Sequence, residues 1–139
     1  MKSFHFSLEK IYELRVKEEK KMKRAYGEIQ KLVFQKENEI QQMMKEKATM
    51  SGMSQMNIEQ IQVHYRYLAR LDQQIMDEHQ QLLIIKQQLA DILEEYMTAQ
   101  KDRKIIEKLY EKKYQEYLSE VKKEEQKRLD EFRARQSVL

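Results

Sequence analysis

Along the second half of the chain, apolar residues recur at a helical period. Leu68, Leu71, Ile75, Leu82, Ile85, Leu89, Ile92, Tyr96, Ala99, Ile106, Tyr110, Tyr114, Tyr117 and Val121 are separated by steps of 3, 4, 7, 3, 4, 3, 4, 3, 7, 4, 4, 3 and 4. Alternating threes and fours keep one stripe turned toward a partner helix, which is the seam of a left-handed coiled coil. Two consecutive fours around Tyr110 resemble a stutter, which locally unwinds the supercoil. The first half is less regular. Leu8, Ile11, Met22, Ala25, Ile29, Val33, Ile40 and Met43 fall mostly at steps of three, four and seven, and Arg15 and Glu18 interrupt them.

The pattern predicts one helix over about 7–50, a turn over about 51–56 and a second helix over about 57–136, in a single unit spanning 1–139. Ser7 can cap the first helix, with Lys10 where a capping box would have Glu. Asn57-Ile58-Glu59-Gln60 has the side chains of a loose capping box for the second. Nothing between these caps breaks a helix: the chain has no proline and only two glycines, Gly27 and Gly52. Gly27 costs local stability without changing direction. Gly52 sits in Ser51-Gly52-Met53-Ser54, the small-polar cluster where the chain is expected to reverse. The expected fold is therefore all-α, a long two-helix antiparallel coiled coil, or helical hairpin, with a longer, overhanging C-terminal helix.

A reversal at Gly52 sets position 8 beside about position 96 and Phe4 beside about position 100. Everything after about residue 103 then lacks a partner helix, an overhang of roughly 50 Å. Ile106, Tyr110, Tyr114, Tyr117 and Val121 lie along it, and such a stripe on an isolated helix is an expected association site.

Composition agrees with narrow-seamed helices: 37% of residues are charged and 40% hydrophobic, too apolar for a disordered polyelectrolyte and too charged for a thick core. The net charge of +3 hides a gradient, with 8 basic and 5 acidic residues in 1–30, 7 and 10 in 31–100, and 12 and 9 in 101–139. Basic ends can steer partners; the other reading is a solvated surface laced with ion pairs such as Glu13/Lys17, Glu19/Lys23, Glu124/Arg128 and Glu131/Arg135. Cysteine is absent, which allows a reducing compartment. The longest apolar run, Leu82-Leu83-Ile84-Ile85, is four residues against about 20 for a membrane span, and the N-terminus lacks the unbroken apolar region of a secretory signal. A soluble intracellular protein with no direct membrane span is expected.

Chemistry-bearing constellations are missing. His5, His64 and His79 have no ligand-spaced neighbours, two separated glycines cannot form a phosphate loop, and the serines have no base beside them. No catalytic residue, metal site or cofactor is expected, and the chain is read as a non-enzyme. Five of nine methionines, Met43, Met44, Met50, Met53 and Met56, surround the predicted turn. Flexible thioethers suit an adaptable binding surface, or merely a loosely packed bend.

Several segments resemble the FliJ family, a small cytoplasmic component of the bacterial flagellar type III export apparatus. They are Phe4-His5-Phe6-Ser7-Leu8-Glu9-Lys10-Ile11-Tyr12-Glu13-Leu14-Arg15, the Ser51-Gly52-Met53-Ser54 turn, Tyr65-Arg66-Tyr67-Leu68-Ala69-Arg70-Leu71-Asp72, and Lys112-Lys113-Tyr114 through Glu131-Phe132. The resemblance implies an antiparallel coiled-coil stalk, similar to that of rotary ATP synthases, whose terminal end enters the hexameric export ATPase ring. Phe4, Tyr110, Tyr114, Tyr117 and Val121 are the residues expected to meet that ring. It implies contact with the export gate membrane protein FlhA through Tyr67, Leu71 and Gln74, with Ile40 and Met44 beside them; Gln74 departs from the small residue of the family pattern. It also implies escort of export chaperones, at the cytoplasmic side of the apparatus on the inner face of the cell membrane. Three other readings stay open: a general holding chaperone, a stalk of a virulence type III secretion system, and a nucleic-acid binder. The last is the weakest, because lysines alternate with glutamates and no nucleic acid is expected as a partner.

Overall fold

A computed structural model describes residues 3–51 and 56–138. The described residues form two long helices, α1 (Glu9–Ser51) and α2 (Ile58–Val138), joined to a short N-terminal segment. The expected turn at Gly52 falls on residues 52–55, outside the described residues.

Helix boundaries follow local chemistry. Leu8 O accepts the Tyr12 N–H at 2.9 Å and Phe6 O accepts that of Glu9 at 3.2 Å, so α1 begins two residues beyond Ser7. At the start of α2 the Asn57 side chain accepts the Gln60 N–H at 2.8 Å, and the Gln60 side chain accepts the Asn57 N–H at 3.1 Å. This is a reciprocal capping box that satisfies two otherwise orphaned donors.

Contacts divide the chain into two units: residues 1–20 with 97–139, and residues 21–96. In each of them α1 and α2 pack against each other in opposite directions, the all-α antiparallel pairing expected from the sequence. In the second unit Ile40, Leu71, Ile75 and Leu82 are buried, and Tyr26 stacks on Tyr96 at 6.5 Å. In the first unit the buried residues are Phe6 and Ala99. Two helices enclose little volume, so other apolar seam residues, such as Leu68, Ile85, Leu89, Ile92 and Ile106, are half-buried. Each contributes less than the roughly 1.5–3 kcal/mol of a fully buried aliphatic side chain. Ile11, expected in the stripe of α1, is exposed; the seam there runs through Leu8, Tyr12, Arg15, Glu19 and Met22.

Charged residues fill the places that the apolar stripe skips. In the first unit Arg103, midway between Ala99 and Ile106, holds Glu19 with Nε at 2.5 Å and Nη2 at 3.3 Å. In the second, Lys36, between Val33 and Ile40, donates to Glu78 at 2.5 Å and to Gln81 at 2.9 Å. Glu78 lies between Ile75 and Leu82. Ions at seam positions cost desolvation, yet they reject pairings that would bury them alone, and so fix which residues face each other.

The register differs from the expected one. Phe4 packs against Tyr110, Tyr114 and Tyr117, ten to seventeen residues beyond the expected position near 100. The physical reason is visible beside the connection. The Tyr67 hydroxyl donates to Glu46, and Lys47 pairs with Asp72 at 2.5 Å, so more than two turns of α2 from Ile58 precede these pairs. A reversal treated as a point at Gly52 leaves those turns out. The unpartnered part of α2 is correspondingly shorter: half-buried side chains continue as far as Val121, and only Lys122 through Ser137 are exposed without interruption.

Candidate partner-binding surfaces

The first unit carries an aromatic platform. Residues 3–6 precede the first turn of α1 and lie along α2, where a helix would have turned the side chains away. The Phe4 ring meets Tyr110 at 5.5 Å, Tyr114 at 5.2 Å and Tyr117 at 5.4 Å; Phe6, buried, meets Tyr110 edge-on at 5.2 Å. Tyr12 stacks on Tyr110 at 6.5 Å, and the three tyrosines stack in succession at 6.4 Å. Edge-to-face and offset pairs of this kind add about 0.5–1.5 kcal/mol each beyond the area they bury. The tyrosine stripe is thus half covered from within the chain rather than open to water, and Tyr110 and Tyr114 each keep 39% of their surface.

Four of the five expected ring contacts, Phe4, Tyr110, Tyr114 and Tyr117, therefore touch one another directly. Val121 lines the adjoining cleft of about 840 Å³ with Phe4, Tyr117, Glu120, Glu124 and Arg128. Past it, Leu129 and Phe132 stand exposed, flanked by Lys127, Arg128, Arg133 and Arg135 and separated by Asp130 and Glu131. The sequence reading left out Phe6 and Tyr12, because a four-residue segment outside any helix has no period and Tyr12 sits one place from Ile11.

The second unit places the expected gate residues unequally. Ile40 and Leu71 are each 4% exposed and belong to the packed seam. Neither can reach a partner unless α1 and α2 part. Tyr67, Met44 and Gln74 are exposed. Tyr67 donates its hydroxyl to Glu46, and that hydrogen bond is the chief cause that pushes the phenol above its ordinary range. Beside it Met50, Met56, Val63, His64 and Tyr67 line an open cleft of about 700 Å³. Met50 and Met56, from the methionine cluster, are thus at a concave surface; Met53 lies outside the described residues.

Among the described residues no group of three His, Asp or Glu side chains is disposed to hold a metal ion, and no helix is long and apolar enough to cross a membrane. The Lys36 ammonium is pushed above its ordinary range mainly by the Glu78 hydrogen bond, and the Arg103 guanidinium likewise by Glu19 and then Glu107. The Lys36–Glu78 and Arg103–Glu19 ion pairs behind these shifts tie helix to helix.

The model of a protein family described as the flagellar FliJ protein matches residues 4–138. The chain belongs to the FliJ family. Membership makes it a component of the flagellar export apparatus, a family whose role there is not catalytic. The match runs from Phe4 of the aromatic platform to Val138 at the end of α2, so both surfaces lie within the family's shared length. No individual curated protein and no solved structure matches the chain.

Proposed function

We propose that the chain is a non-enzymatic stalk of the flagellar export apparatus: it binds and stimulates the hexameric export ATPase through its first unit, and engages the export gate protein FlhA through the second. One observation carries the reading of the first unit. The aromatic platform is braced from within yet still partly open, and beyond it residues 122–137 of α2 are exposed, with Leu129 and Phe132 set among 6 basic and 4 acidic side chains, a small net positive charge. Braced aromatics make an anchor that loses little entropy on binding, and a basic segment draws in an acidic ring surface. The second surface, in this reading, is Tyr67 with Met44 and Gln74, while Ile40 and Leu71 hold the helix that presents them. Chaperone escort uses the cleft of Met50, Met56 and Val63, whose thioethers adapt to more than one client.

Truncation after Val121 tests the ring assignment. A cut near residue 103 would strip the cover from Phe4 and Phe6 and unfold the first unit; a cut after Val121 spares every half-buried side chain among the described residues. The shortened protein should keep its helix content, co-purify poorly with the ATPase and no longer stimulate it. Undiminished stimulation would remove the terminal segment from the interface. Prevention of aggregation of unrelated proteins, retained without any ATPase, would favour the holding chaperone instead.

A further inference from the structure

On the far side of α2, the second unit carries another row at coiled-coil spacing. Ala69, Gln73, Met76, Gln80, Leu83, Gln87 and Ala90 follow at steps of 4, 3, 4, 3, 4 and 3, and all are exposed. At 100° per residue the row lies about 150° around the helix from the seam, so α1 leaves it open. None of the seven is charged, in a chain of which 37% is charged. Met76 and Leu83, at its middle, are 58% and 68% exposed.

The row reads alike from both ends. About Gln80 the order is small, Gln, large apolar, Gln, large apolar, Gln, small. A two-fold contact demands this self-complementarity, because residue i meets j wherever j meets i. We propose that this face is a two-fold, antiparallel contact between two copies of the chain, with the axis beside Gln80. Ala69 then faces Ala90, Gln73 faces Gln87, Met76 faces Leu83, and Gln80 faces its own copy. The alanines let the helices approach, the large pair fills the middle, and the glutamines pair across it. Gln73 and Gln87, which exchange places under the axis, are each held against the helix by donating to Asp77 at 3.1 Å and Asp91 at 3.2 Å.

Flanking charge selects the same occupant and direction. Along one edge Arg70 of either copy falls opposite Asp91 of the other, whereas a parallel pairing brings opposite edges together and would set Asp72 against Asp77. Along the other edge Asp72 falls opposite Lys86, beyond the ion pairs these make with Lys47 and Glu37 in their own chain. The row is about 32 Å long, and a contact one helix wide is at the small end of specific interfaces. The dimer is therefore weak and forms as concentration rises.

The chain has no cysteine, which allows a direct test on the full-length protein. Gln80→Cys should form a disulfide-linked dimer at least about tenfold faster than Lys45→Cys, an exposed position on α1, because the two-fold axis raises the local thiol concentration. Gln73→Cys and Gln87→Cys should cross-link when mixed and not alone. Sedimentation equilibrium should show a concentration-dependent dimer for the unaltered chain, abolished by Met76→Lys with Leu83→Lys. Both side chains are exposed, so circular dichroism should be unchanged. A chain that stays monomeric at every concentration, or a Gln80→Cys rate equal to the control, overturns the proposal. So does self-linking of Gln73→Cys, which requires parallel helices, or a monomer that uses Met76 and Leu83 to bind a different protein.

Discussion

Arg103 of α2 grips Glu19 of α1 through two parallel hydrogen bonds, Nε to one carboxylate oxygen at 2.5 Å and Nη2 to the other at 3.3 Å. Its remaining nitrogen reaches Glu107 on its own helix. Both partners stand in the seam, where an apolar residue would pack, and both are largely covered, at 22% and 16% exposure. A forked pair has one geometry, so it favours a single alignment of the helices more sharply than an aliphatic contact, which tolerates sliding by a heptad.

A double-mutant cycle should separate stability from register. Arg103→Leu and Glu19→Leu should each lower the unfolding midpoint, since each leaves a covered charge without its forked partner. The combined variant should recover most or all of that loss. Its register should be looser, seen as faster hydrogen exchange in residues 9–20. Additive losses in the double variant would show that the two side chains are not coupled and would remove the pair as the device that selects register.

Leu71 and Tyr67 lie one helical turn apart and should answer differently to alanine. Leu71 is buried, and its truncation should cost about 2–3 kcal/mol in chemical unfolding, below the deepest cores because a two-helix seam can partly collapse. Tyr67→Ala should leave stability nearly intact and weaken binding to the gate protein. Equal loss of gate binding at matched stability would place Leu71 in the contact as well and require the helices to part there.

The seam of α2 was legible because apolar residues at steps of three and four need no knowledge of the partner. Its two steps of seven mark where that signal stops: Glu78 and Arg103 occupy the skipped positions. A charged residue at a seam position reads as an interruption until its partner across the helices is known. Register was less legible for the same reason, since it rests on pairs 42 and 84 residues apart and on turns of α2 before Tyr67. The aromatic platform was half legible. Periodicity exposes Tyr110, Tyr114 and Tyr117, but the arrival of Phe4 and Phe6 from outside α1 follows from no repeat.

Gly27 offers a gain rather than a loss. It lies within α1 in ordinary helical geometry, and a Cβ built there meets nothing within 4 Å. Gly27→Ala should therefore stabilise the fold by about 0.5–1 kcal/mol, mostly by restricting the unfolded chain, with a higher midpoint and unchanged denaturant slope. Destabilisation would mean that close approach of another surface, not helix propensity, holds glycine at this position.

The second unit should loosen in alkali. The Tyr67 phenol donates to Glu46, and that bond chiefly lifts its ionisation above the ordinary 10.0. Lys36 is lifted above 10.5 chiefly by its bond to Glu78, against an opposing cost of burial. Both groups have folded values raised over the unfolded ones, so each contributes fully below the unfolded value and loses that contribution as pH rises through the folded one. Unfolding free energy should accordingly be flat below pH 10.0 from these sources and fall above pH 10.5. In tyrosinate absorbance of the folded chain the Tyr67 phenol should ionise late, a signal absent in Tyr67→Phe and returned to the ordinary range in Glu46→Gln. A late phenol that survives Tyr67→Phe would assign the shift to another tyrosine and break the link between this hydrogen bond and alkaline loosening.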